Sequence, residues 1–446
     1  MSYAGRFSHN APVTSVPSTP TRHGVADIAR VASGNFVEMY DFMVFGYFAD
    51  AIGQAYFPGG SHLASLLKAL ATFGVGFAMR PLGAILLGGF TDRHGRRAGL
   101  LLTLSLMGVG IAALAFTPAY ASIGVAAPAI VVAGRLVQGL SAGAELGTVS
   151  VYLAEIAPPH ARGFWVSWQS ASQQVAVVAA AAIGAGLSAL LGPAALAAWG
   201  WRVPLALGCA VVPVLFVLRR HLRESHRPAT PPAMRAVLAA LWAGRASVLA
   251  GVALVLMTTV SFYLITAYTP SFGKLLGLPP LAVLGVTALT GLSNLVWLPA
   301  MGALSDRVGR RPILLACTAL AVVTAWPAMA WLAAAPSLAR LVAVELWLSA
   351  LYGSYNAAMV VHLTEVVPAS VRATGFSLAY SLATAIGGFT PFAVTALIAR
   401  TGDRSLPGAW LAGAALLSLL AAAFAHRRPA CEGDASGEEG ARGRTA

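Results

Sequence analysis

Two stretches decide the fold. The first reads Gly88-Gly89-Phe90-Thr91-Asp92-Arg93-His94-Gly95-Arg96-Arg97 and the second Gly302-Ala303-Leu304-Ser305-Asp306-Arg307-Val308-Gly309-Arg310-Arg311. Each lies between two long apolar runs, and they stand about half a chain apart. A short loop that merely collects arginines explains the charge. It does not explain the repeated G-x-x-x-D-R-x-G-R-R order. A duplicated half with a charged hinge in the same place points to a secondary transporter built from two repeats.

Composition agrees. The chain is 58% hydrophobic and only 10% charged, with positive mean hydropathy. A spanning helix needs about 20 mostly apolar residues. Such runs recur at 25–51, 64–89, 98–118, 124–154, 164–192, 199–220, 247–270, 280–303, 312–334, 338–366, 373–400 and 407–426. The expected fold is therefore an all-α membrane protein of twelve transmembrane helices in two six-helix pseudo-symmetric halves. The first half runs over 25–220 and the second over 247–426, joined by a cytoplasmic linker at 221–246 with Pro228, Pro231 and Pro232. Residues 1–24, rich in Ser, Thr and Pro, and the 427–446 tail, with Glu432, Asp434, Glu438 and Glu439 among Gly and Ala, read as disordered.

The net charge of +13 would suggest nucleic acid in a soluble protein. Here arginines gather in alternate loops, at Arg93, Arg96 and Arg97, Arg162, Arg219 to Arg245, Arg307, Arg310 and Arg311, Arg372, and Arg427 and Arg428. Positive loops stay in the cytoplasm. The pattern places both termini inside a bacterial cell, with the lipid bilayer and not nucleic acid as the partner. Cys209, Cys317 and Cys431 have no metal or redox spacing. No nucleophile–base set or phosphate-cradling loop is present, so neither an enzyme, a metal centre nor a cofactor is expected.

Charge inside a membrane is expensive and marks function. On helix one, Asn35, Glu38 and Asp41 fall within an arc of about 120°. A carboxylate between apolar walls can hold a proton near neutral pH, so Glu38 and Asp41 are candidates for proton coupling. A structural pair with a neighbouring arginine is the other reading. On helix four, Gln138 and Glu145 share a face, with Arg135 within about 80°. Arg grips carboxylates with a planar fork. Arg135 is thus the expected anion-binding cation and Glu145 a further proton-coupling candidate. Arg80, before Pro81, reads as a structural partner for a helix-one carboxylate. Helix five carries Gln169, Ser172 and Gln173 on one face, suited to the oxygens of a small polar solute or to gluing helices. In the second half the polar positions are Thr259, Tyr263 and Thr266; Asn294; Tyr352, Tyr355, Asn356 and Met359; and Ser377, Tyr380, Ser381 and Thr384. Among these, Tyr263, Asn294, Tyr355 and Asn356 complete the expected substrate site with Asn35, Arg135, Gln138, Gln169, Ser172 and Gln173.

The repeated loop resembles the one between the second and third helices of each half in the major facilitator superfamily. Gly139, Gly143, Tyr152, Glu155 and Arg162 are similar to a pattern of its sugar-transporter-like members, and the spacing returns as Glu365 and Arg372. A carboxylate there can pair with its arginine or with the Asp-Arg loop and latch the halves. The expected gating set is Asp92, Arg93, Arg96, Glu155, Arg162, Asp306, Arg307, Arg310, Glu365 and Arg372. The runs Ala32-Ser33-Gly34-Asn35-Phe36-Val37-Glu38-Met39-Tyr40-Asp41-Phe42, Met79-Arg80-Pro81, Gly134-Arg135-Leu136-Val137-Gln138 and Trp168-Gln169-Ser170-Ala171-Ser172-Gln173-Gln174 resemble the metabolite:proton symporter branch. Within it they are similar to the citrate–proton and tricarballylate–proton symporters. The resemblance implies proton-coupled import of a citrate-like anion across the bacterial inner membrane. Import of a dicarboxylate or a zwitterion such as betaine, or ligand sensing without turnover, are the competing readings.

Overall fold

The computed structural model describes residues 34–143, 145–220, 244–366 and 372–424. The expectations for 1–24, 221–243 and 427–446 lie outside the described residues, as do the side chains of Asn35, Asp92, Arg93, Arg96, Glu145 and Arg372.

The described helices order into twelve spans. α1 is Gly34–Tyr47 continuing as Ala49–Tyr56; α2 is His62–Ala78 continuing as Arg80–His94; α3 is Arg96–Phe116. α4 is Ala126–Ala142 continuing as Glu145–Ile156, α5 is Arg162–Leu190, and α6 is Arg202–Arg220 behind a bent lead-in from Pro193. α7 is Arg245–Phe262, a π-helical turn Tyr263–Tyr268, then Thr269–Leu275. α8 is Pro280–Val308, α9 Arg310–Ala334, α10 Leu338–Val366, α11 Arg372–Gly387 continuing as Thr390–Thr401, and α12 Leu406–Phe424.

By length and apolarity alone eight of these cross a membrane, and bent α6 makes a ninth. The other three are α1, α4 and α10. They carry buried Glu38 and Asp41, buried Arg135 and buried Glu345. Arg80 is likewise buried on α2, and charge inside a bundle is tolerated where it faces protein rather than lipid.

Packing repeats with a shift of six. α1 packs on α5, α2 on α4, α3 on α4 and α6 in the first half; α7 packs on α11, α8 on α10, α9 on α10 and α12 in the second. The halves meet along α5 with α8 and α2 with α11, which exchange under the same shift. Small residues permit the close approaches. A Cβ on Gly139 of α4 would collide with the backbone of Gly76 on α2. Without a hydrophobic drive between helices in lipid, such backbone proximity is what packing rests on.

The duplicated motif has a backbone reason. Gly95 has φ 93° and ψ 157°, and Gly309 has φ 86° and ψ 163°. That region is open essentially to glycine alone. In each repeat the glycine ends one helix and starts the next, its N–H donating to Thr91 and Ser305 carbonyls respectively. The motif is a tight reversal between α2 and α3 and again between α8 and α9.

Candidate functional site

A narrow cavity lies between the halves. It is lined by Met39 of α1, Arg80 of α2, Gln173 of α5, Thr259, Phe262 and Tyr263 of α7, and Tyr380 and Thr384 of α11. The π-helical turn after Phe262 begins with Tyr263, whose ring packs on Phe77 and Phe73 at centroid distances of 4.7 and 5.8 Å. Such turns add a residue to the helix and often mark functional sites. Of the lining side chains only Arg80 is charged.

Two buried ion pairs are built on α1, and Arg80 of the first lines this cavity. Arg80 Nη2 donates to Glu38 Oε1 at 2.5 Å. Its guanidinium lies 4.8 Å from the Phe77 ring centre and 5.4 Å from that of Phe42. Its Nε is buried with no hydrogen-bond partner among the described residues. Arg135 Nη1 donates to Asp41 Oδ2 at 2.8 Å and to Gln138 Oε1 at 2.9 Å. Both side chains of that pair are 0% exposed, and the Phe45 and Phe42 rings cover the Arg135 guanidinium at 3.9 and 5.1 Å. Glu38 and Asp41 are three residues apart on α1, so one helix supplies both carboxylates. A buried pair is stable only while both members are charged or both are otherwise satisfied. A proton, or a competing anion, is what can break it.

The sugar (and other) transporter family matches residues 28–228 and 232–425. The chain belongs to that family. Its sequence is 52% identical over 430 residues to a citrate-proton symporter of Klebsiella pneumoniae, covering 95% of this chain and 97% of the relative. It is 31% identical over 416 residues to an alpha-ketoglutarate permease of Escherichia coli, covering 92% and 96%. A partially occluded inward-open structure of the xylose transporter XylE from E. coli aligns with TM-score 0.70 at 19% identity, over 89% of this chain and 96% of that one. That structure shares the fold. The transporter is a multi-pass membrane protein with the twelve-helix major facilitator architecture.

The transporter gathers the expected site residues unevenly. Gln173 and Tyr263 line the cavity, together with Thr259, Tyr380 and Thr384 from the polar stripes. Arg135 and Gln138 do not; they are sealed behind Phe42 and Phe45 with Asp41. Gln169 is buried, its Oε1 accepting from Ser170 Oγ at 2.9 Å, while Ser172 donates back to the Gln169 carbonyl at 2.7 Å. Asn294 accepts from Ser349 Oγ at 2.9 Å, at the seam of α8 and α10. Tyr355 donates to the Leu254 carbonyl at 2.7 Å, a tie between α10 and α7. Asn356 is fully buried, with neither amide atom partnered among the described residues.

The gating residues divide likewise. Asp306 accepts from the backbone N–H groups of Gly163 and Phe164, at 2.7 and 3.0 Å, at the start of α5. Arg310 holds Asp306 at 2.8 Å and reaches Glu365 at 3.4 Å. Glu365 therefore meets the Asp-Arg loop of its own half, and Asp306 crosses to the other half. A carboxylate at a helix N-terminus is favoured by the unsatisfied N–H groups and the helix dipole. Glu155, Arg162 and Arg307 are exposed and form no ion pair with another described side chain. At the opposite end of the bundle, Asp50 of α1 accepts from Lys274 of α7, and its Oδ1 lies 2.7 Å from Nε2 of His62 on α2. Both ends of the inter-half seam are thus closed by a carboxylate that crosses it.

Two buried charges stand outside the expected site. Arg80, expected as a structural partner for a helix-one carboxylate, pairs with Glu38 and also faces the cavity. Glu345 was not singled out at all, although a carboxylate in the run Val344-Glu345-Leu346-Trp347 is the kind of isolated charge that marks one.

Proposed function

We propose that this transporter imports citrate with protons across the bacterial inner membrane by alternating access. The observation that carries the reading is Arg80, the charged lining of the inter-half cavity, in a chain half of whose residues match a citrate-proton symporter. Citrate brings about three negative charges, and a charge moved into a low-dielectric space must be paired or protonated. The Arg80 fork meets a citrate carboxylate, and Gln173, Tyr263, Tyr380 and Thr384 meet the remaining oxygens. The buried amides of Gln169, Asn294 and Asn356 add donors as helices shift between states.

Proton coupling follows from competition. Glu38 and a citrate carboxylate compete for Arg80, so a proton on Glu38 releases the guanidinium to the substrate. Asp41 exchanges a proton against Arg135 in a compartment the substrate does not enter. Each elementary charge moved against the membrane potential costs about 2.3 kcal/mol per 100 mV, so an anion with three charges enters only with protons. The arginine-rich end, with Asp306, Arg310 and Glu365, is the cytoplasmic gate and holds both termini; Asp50, His62 and Lys274 form the outer gate.

Uptake into proteoliposomes under an imposed proton gradient tests the proposal. Labelled citrate should accumulate, a protonophore should abolish accumulation, and unlabelled citrate should compete better than malate or betaine. Accumulation that needs sodium rather than protons, or competition led by betaine, would contradict it.

A further inference from the structure

Glu345 lies outside both arginine pairs. It is on α10, two helical turns from Tyr352, whose ring contacts cavity-lining Phe262 at 5.8 Å. Its side chain is buried. Oε1 is 2.7 Å from Thr269 Oγ1, and Oε2 has no hydrogen-bond partner among the described residues. Thr269 follows the π-helical turn, and its oxygen also stands 3.0 Å from the Ile265 carbonyl and 3.3 Å from that of Leu264.

A threonine hydroxyl has one proton to give. If it goes to Glu345, Oε2 is left without a partner, as a bare charged oxygen with no cation or as an unmet O–H donor. If it goes to Ile265, the threonine oxygen is left to accept, and only a protonated Glu345 can donate to it. The second arrangement forms an unbroken chain from Glu345 O–H to Thr269 Oγ1 to the Ile265 carbonyl. An isolated buried charge is far costlier than this neutral chain.

Among the described residues no charged side chain pairs with Glu345. The stretches 176–190 of α5, 280–294 of α8 and 322–334 of α9 contain no titratable residue. On α7, Lys274 is held by Asp50, and the Tyr268 hydroxyl takes a hydrogen bond from Thr395 at 3.2 Å; Tyr263 lines the cavity. On α10 itself, Arg340 stacks on Trp331 at 4.7 Å and donates to its carbonyl at 2.8 Å.

We propose that Glu345 is a proton-carrying site of the second half, loaded from the side that the Asp50–Lys274 bridge closes and emptied once in each transport cycle. Thr269 begins the same seven-residue helix that ends at Lys274 and Leu275, so the segment that closes the outer gate is also the one that contacts the acid. Together with Glu38 and Asp41, the described residues then hold three buried carboxyl groups for a substrate of about three charges. The inference rests on the citrate–proton reading above.

Two measurements decide it. In proteoliposomes, the proton-to-citrate ratio is read from the citrate gradient that just balances a set pH gradient at fixed membrane potential. Glu345→Gln should lower the ratio by one proton, so that with the membrane potential clamped at zero accumulation at a pH difference of one unit falls about tenfold. An unchanged ratio in a transporting Glu345→Gln variant would overturn the proposal and leave the citrate reading standing. The second measurement uses the wild-type protein. Dicyclohexylcarbodiimide adds the O–H of a protonated carboxyl across its C=N bond, and peptide mass mapping locates the adduct. Modification at Glu345 at neutral pH is expected; its absence would overturn the proposal even if the variant does not fold. Wild-type protein that takes up no citrate contradicts the substrate reading instead, and the carbodiimide measurement, which needs no substrate, then decides Glu345 by itself.

Discussion

Glu38 and Asp41 stand one turn apart on α1, each holds an arginine, and Phe42 packs against both guanidinium groups. The chemistry of the two pairs is the same and their surroundings differ. Arg80 opens onto the inter-half cavity, whereas Arg135 is sealed with Asp41 and Gln138 inside the first half. A pair open to the cavity can exchange its carboxylate for one from a ligand. A sealed pair can exchange nothing larger than a proton or a water. Under the proposed function, burial divides one motif into a substrate contact and a coupling switch.

The largest effect should come from the sealed pair. Asp41→Asn removes the exchangeable proton, so accumulation of citrate under a proton gradient should fall at least a hundredfold, about 2.7 kcal/mol or more. Citrate–citrate exchange across the same vesicles should persist, since no net proton movement is needed. Loss of exchange and accumulation together, in folded protein that still binds citrate, would mean that the pair is structural.

Glu38→Gln sharpens the contrast in a different way. In the wild-type protein a proton on Glu38 frees Arg80, so citrate should bind more tightly as pH falls. The variant has no charge to compete and should bind with the low-pH affinity throughout. Calorimetric titration across a range of pH should give a change of up to tenfold in Kd per pH unit for the wild type and a flat profile for Glu38→Gln. A profile as steep as the wild type's in the variant would assign the titration to another group.

The smallest effect on binding is expected at the gate. Asp306→Asn weakens the cap on α5 and the Arg310 pair without touching the cavity. Uptake should slow severalfold, with citrate Kd unchanged. A Kd that rises in step with the loss of rate would place the gate and the binding site in one unit.

Much of this was readable before the structure. Apolar runs separated by charged loops gave twelve spans, and the Asp-Arg-x-Gly-Arg-Arg loops gave the duplication, because membrane burial forces both patterns into the sequence. The acidic face of α1 was equally legible from helical spacing. The identity of the cavity arginine was not. A helical wheel ranks the faces of α4 and α2 separately, but which face meets the other half depends on how the helices pack. Gly139 against Gly76 presses α4 onto α2, and that contact leaves Arg135 inside the first half while Arg80 reaches the seam. Glu345 was obscured for a related reason. On the same helix the stripe from Tyr352 to Met359 carries a denser polar signal than an isolated carboxylate, and packing alone decides what each member meets, as with the Tyr355 hydroxyl on the Leu254 carbonyl.

The central claim is that Arg80, and not Arg135, is the cation that citrate meets. Isothermal titration of citrate into folded, purified Arg80→Ala and Arg135→Lys proteins tests it directly. Removing the cavity arginine should cost on the order of 2–5 kcal/mol, a rise in Kd of at least roughly 30-fold, while Arg135→Lys keeps its charge beside Asp41 and should bind citrate within about threefold of the wild type. Wild-type affinity in Arg80→Ala, with binding lost in Arg135→Lys, would contradict the account.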